Sequence, residues 1–167
     1  MSTLRDRLRQ RQLPTEVVEL PLDPAEFAAR DRALTSAQWA LETARDRGSG
    51  DLGPFRAELA AAQSALAQME VISVTLRALP AADWEALLEL HPPTDAERDK
   101  GAQWAPSFRL ALVAASVVPA DGEAPTSEAD WEAMAKDGSL GAGEINALFT
   151  VALNLNLRAP DSHVGKG

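Results

Sequence analysis

The chain has no cysteine and only 2 histidines, and aromatic residues make up 5% of its 167 positions. Each shortage removes a class of chemistry. Without cysteine there are no disulfides, no thiolate metal sites and no cysteine nucleophile. Nothing demands an oxidising compartment. The two histidines, His91 and His163, lie far apart, and neither sits in an HExxH-like spacing. His91, just before Pro92, suits a helix C-terminus, where the macrodipole favours it. A Ser-His-Asp set can be assembled on paper, but no GxSxG elbow accompanies it. Long apolar runs are missing too: none approaches the ~20 residues a membrane helix needs. No apolar signal-peptide region follows the N-terminal charges. The expectation is a cytosolic, soluble chain that takes no metal or cofactor, has no catalytic residues and does not meet a membrane.

Glycine and acidic motifs are equally thin. Gly141-Ala142-Gly143 precedes a predicted helix but follows no strand and lacks the third glycine of a dinucleotide fingerprint. Gly165-Lys166 resembles the end of a P-loop, with nothing helical after it. Asp121 and Glu123 share a loop but lack the alternating ligands and the length of an EF-hand.

What is present is negative charge and alanine-rich apolar content. The formal net charge is -9 and the pI about 4.7. That balance repels nucleic acid and anionic lipid, so no nucleic-acid partner is expected. Arg5, Arg7, Arg9 and Arg11 break the trend, as either a solvated terminus or an anion contact. Apolar residues make up 46%, enough for a core.

The patterning divides the chain into a polar, flexible N-terminus (1–14), an arm (15–79), a helical domain (80–158) and a flexible tail (159–167). In the arm, Val18, Leu20 and Leu22 alternate with Val17, Glu19 and Pro21, which predicts a strand with Pro21 at its end. Asp23-Pro24-Ala25-Glu26 predicts a helix start, with Asp23 as cap and Glu26 reaching back. Phe27, Leu34 and Leu41 then recur every seven residues, with Ala37 and Ala44 near the complementary positions. Arg47-Gly48-Ser49-Gly50 predicts a turn. A second helix from about Pro54 carries Phe55, Leu59, Ala62, Leu66 and Met69 at alternating spacings of four and three, a coiled-coil seam. The opposing faces, Arg30 included, read as solvated. Period two returns over Glu70–Leu79, with Ile72, Val74 and Leu76 on one face. Two helices joined by a short turn fold back on each other, so the flanking strands pair and close a β–αα–β arm.

The helical domain opens with Trp84, Leu87, Leu88 and His91 on one face, stopped by Pro92-Pro93. Thr94-Asp95-Ala96-Glu97 predicts a capping box. Pro106 opens an apolar helix with Phe108, Leu112, Ala115 and Ser116 on one stripe, the candidate central helix. Val117–Pro125 reads as a loop and Ser127–Asp130 as another cap. A last helix, from about Gly143 to Leu157, faces the core with Ile145, Leu148, Phe149, Ala152 and Leu155. The fold class is mainly α with minor β (α+β minor): an antiparallel coiled-coil hairpin arm followed by a compact helical bundle.

Of four tryptophans, Trp84 and Trp131 fall on apolar helix faces and read as core. Trp104, in a loop before Pro106, reads as exposed, and Trp39 lies off the first seam. Trp39 and Trp104, with the seam residues Leu59 and Leu66, are the candidate partner-binding positions. Packing of the arm on the chain's own body is the alternative role for Trp39.

The chain resembles the tail assembly chaperones of long-tailed actinobacterial phages and prophages. The resemblance rests on the strand–helical arm–strand order and on Thr75-Leu-Arg-Ala-Leu-Pro80 followed by Asp83-Trp84, Leu87 and Glu89-Leu-His-Pro-Pro93. It continues through Phe108-x-x-Ala111-Leu112-x-Ala114 and the segment from Glu144 to Asn154. It implies a helper without catalytic activity that binds and solubilises the tape measure protein while tail tube subunits polymerise round it. It also implies residence in the host cytoplasm and absence from the mature virion. These families commonly make a longer frameshifted form, and Gly165-Lys166 fits a slippery GGG-AAA run. Homo-oligomerisation is left open. The alternative reading is a virion structural or head–tail joining protein, separated by incorporation into particles. A small enzyme is the third, opposed by the missing histidine, cysteine and glycine motifs.

Overall fold

The computed structural model describes residues 3–9, 11–48 and 50–157. His163, Gly165, Lys166 and the predicted tail lie outside the described residues, as does Ser49 of the predicted turn. Among the described residues the fold is mainly α with one two-stranded antiparallel sheet.

A short helix, α1 (Leu4–Arg9), lies within the polar N-terminal stretch. Its start is a reciprocal cap. The Thr3 hydroxyl donates to Asp6 Oδ2 at 2.7 Å, and Asp6 N donates back to Thr3 Oγ1 at 3.2 Å. The strands β1 (Thr15–Pro21) and β2 (Val71–Arg77) pair as their period-two patterns predict. Ala78 N donates to Pro14 O at 2.9 Å and Leu22 N to Glu70 O at 3.0 Å. Both bonds fit one register, with Val18 opposite Val74 and Leu20 opposite Ile72.

Two compact units divide this ribbon crosswise, each best described alone. The first is Glu19–Ser73. It contains α2 (Pro24–Asp46) and α3 (Gly53–Ala67), packed as a hairpin. Asp23 caps α2 by accepting from Glu26 N at 2.9 Å. The expected return bond from the Glu26 carboxylate does not form. That carboxylate accepts from Arg30, which also donates to the Ala65 carbonyl near the end of α3. Arg30 is therefore half-buried and bridges the two helices, rather than belonging to a solvated face. The turn uses Gly48 at φ 67, a conformation that favours glycine. Ala37, Leu41 and Ala44 are buried along the α2 seam, as the seven-residue repeat predicts.

The second unit comprises the described parts of 1–18 and 74–167. It contains α4 (Ala81–Leu90), α5 (Asp95–Arg98), α6 (Phe108–Ser116), α7 (Glu128–Asp137) and α8 (Ala142–Leu157). Helix α6 is central and packs on α4, α7 and α8. Phe108, Leu112 and Val113 of α6 and Leu148 of α8 are wholly buried, with Leu76 of β2. Ala115, expected on the core stripe, is exposed. Ala111 takes its place, one turn back on the same side. The capping boxes at Thr94/Glu97 and Ser127/Asp130 form in both directions. Gly138, at φ 86, ends α7.

The segment read as a loop after α6 begins with a bridge. Val117 pairs antiparallel with Leu76, and Val118 N donates to Thr75 O at 2.8 Å. The register turns the Thr75 carbonyl away from β1, and a polar backbone group beside a buried Leu76 requires a partner. Asn156 serves Leu79 the same way: its Oδ1 accepts from Leu79 N at 2.8 Å, while its Nδ2 donates to Ala152 O.

Candidate partner-binding surface

The hairpin leaves the apolar residues of one of its helices part-exposed. No residue of α3 is buried. Helix α3 packs on α2, yet Phe55, Leu59, Ala62, Leu66 and Met69, the residues of the predicted seam, are all half-buried. Two packed helices cover one strip of each other, whereas a stripe facing a core spans a wider arc. One flank of each seam side chain therefore stays uncovered. Leu59 and Leu66 stand two turns apart on this seam. Ala65, flanking it and outside the four-and-three spacing, is half-buried too.

Trp39 is 68% exposed on α2. It lies two residues beyond buried Ala37, roughly 200° round the helix and so away from the seam. The hairpin unit thus has two apolar features on different sides, not one patch. Leu22 and Ile72 at its base are also mostly exposed, at 58% and 50%.

Trp104 belongs to the other unit and is not a free anchor. Its ring centroid lies 5.3 Å from that of Phe108 and 6.2 Å from that of Phe149. Trp84 meets Phe108 edge-on at 5.7 Å, and His91 does so at 6.3 Å. His91 Nδ1 lies 3.0 Å from Ser107 Oγ, and Arg109 sits over the Phe149 ring at 5.7 Å. Trp84 and His91 are therefore packing positions round Phe108. The half-buried Trp104 follows from tertiary contact, which a loop sequence does not announce.

Three charged groups near these surfaces, Asp23, Glu26 and Arg30, are engaged by local structure. A hollow of about 200 Å³ at the hairpin base is lined by Leu22, Asp23, Glu26, Arg30, Gln68, Met69 and Glu70. Asp23 is engaged as a cap and Glu26 with Arg30. Elsewhere, exposed carboxyls are held below their usual range by hydrogen bonds. The hydroxyls of Thr3 and Ser127 do this for Asp6 and Asp130, the backbone N–H of Thr94 for Glu97, and Ser139 for Asp137. Among the described residues, no group of three or more His, Asp or Glu side chains could hold a metal ion. No described helix is long and apolar enough to cross a membrane. Compared with protein families, curated proteins and solved structures, the chain matches none of them.

Proposed function

We propose that the chain is a tail assembly chaperone of a long-tailed phage or prophage. In this reading it binds helical segments of the tape measure protein in the host cytoplasm and gives way to tail tube subunits. It does no covalent chemistry and is left out of the mature virion. The observation that carries the reading is the uncovered seam of α3, whose apolar side chains are lined up but not enclosed. A third amphipathic helix laid along the hairpin would cover them, the helix-in-groove mode of recognition. An acidic carrier of net charge -9 also lends solubility to an apolar cargo. The motif round Trp84 and His91 adds the family resemblance.

The seam is tested by capture of purified tape measure segments. The native chain should retain them. A chain carrying Leu59→Asp and Leu66→Asp should lose at least about 2 kcal/mol of binding, as when an apolar anchor is replaced. Equal retention by both chains would remove the seam from the reading.

A further inference from the structure

The outer edge of β1 is open. The register fixed by Ala78–Pro14 and Leu22–Glu70 turns the even-numbered residues of β1 toward β2. The N–H and C=O groups of Thr15, Val17 and Glu19 therefore point the other way. Among the described residues the sheet has two strands, and the one further bridge, Leu76 to Val117, lies on β2. Among the described residues no third strand pairs with these three, and all are exposed, Val17 at 55%. Such an edge is a template for another strand.

Charge selects the occupant. Glu16 and Glu19 flank the open groups, are exposed, and have no side-chain partner among the described residues. Pro21 ends the strand without a donor. Carboxylates and a proline on an edge oppose pairing with a second acidic copy, and the net charge of -9 acts in the same direction. A basic strand meets neither obstacle. We propose that β1 binds an extended, basic segment of another protein by strand addition along Thr15–Glu19. Main-chain bonds to Thr15, Val17 and Glu19 hold it, while Glu16 and Glu19 select its lysines or arginines. About five residues of the partner span this edge.

The test uses the full chain and a labelled ten-residue peptide of alternating lysine and valine, followed by fluorescence anisotropy. Its twin is N-methylated at alternate residues, keeping the charge but losing the donors of one edge, and is made in both registers. Val17→Pro removes an outward N–H without touching the β1–β2 ladder, and the doubly substituted Glu16→Gln, Glu19→Gln chain removes the charges. Binding of the plain peptide should weaken about ten-fold on each change, equivalent to one or two hydrogen bonds or ion pairs. Equal binding of plain and methylated peptides to the native chain would reduce the effect to bulk charge and overturn the proposal. So would no binding of the plain peptide, or a native dimer that Val17→Pro dissociates, since the edge would then belong to a second copy. The methylated twins decide the matter even if Val17→Pro fails to fold.

Discussion

Phe108 shows what one side chain can hold together. It is wholly buried, and Trp84, His91, Trp104 and Phe149 all pack against its ring. Phe108→Ala should destabilise its unit by about 3–5 kcal/mol, because four rings cannot collapse fully into the space left. Urea unfolding followed by tryptophan fluorescence measures this. Asn156 is a polar counterpart. Asn156→Leu leaves the Leu79 N–H without its acceptor, and should cost about 1–3 kcal/mol in the same assay. The cap carboxyls Asp6, Glu97, Asp130 and Asp137 set a pH dependence. Their folded-state pKa values are lowered, so their contribution is present above the ordinary carboxylate range. It is lost as pH falls through the lowered values. Helical circular dichroism should therefore hold steady from neutrality down to about pH 5 and decline below about pH 4. A decline that begins above pH 6 would place the responsible groups elsewhere.

At the scale of elements, periodicity in the sequence was legible and coverage was not. The seven-residue spacing of Phe27, Leu34 and Leu41 and the four-and-three spacing on α3 identified the faces that meet. The period-two runs identified strands that pair. Spacing says which way a side chain points, but not how many neighbours enclose it, so the half-burial of Leu59 and Leu66 was invisible. It lowers the expected cost of Leu59→Asp to about 1–2 kcal/mol, against a larger loss for a fully enclosed leucine. Thermal unfolding of the variant, read as helix content, checks that value. The Val117–Val118 pairing escaped notice because a bridge of so few residues leaves no repeat to detect. Glu26 had the right spacing for a capping box, but Arg30 one turn on competed for its carboxylate and won. Trp104 packs on Phe108, four positions on, and on Phe149, more than forty positions away, and the second contact lies beyond any local pattern.

At the scale of the molecule, both units carry exposed large apolar residues: Leu4, Val17, Leu90 and Leu157 in one, and Leu22, Trp39, Val71 and Ile72 in the shorter unit Glu19–Ser73, whose α3 has no buried residue. Four exposed apolar side chains in so short a unit are suited to a partner. Trp39→Ala separates the two uses. It should change stability by less than about 0.5 kcal/mol, as exposed substitutions do, since the ring is 68% exposed. If the outer side of α2 also meets cargo, the same change weakens capture of tape measure segments.

If the proposed chaperone reading holds, the most direct measurement is co-expression with the tape measure protein encoded beside this chain, comparing its soluble fraction with and without the chain. A soluble tape measure protein that co-purifies with the native chain, and returns to the pellet when Leu59 and Leu66 are both changed to aspartate, is the predicted result. A tape measure protein that stays insoluble beside an abundant, folded native chain would contradict the chaperone reading.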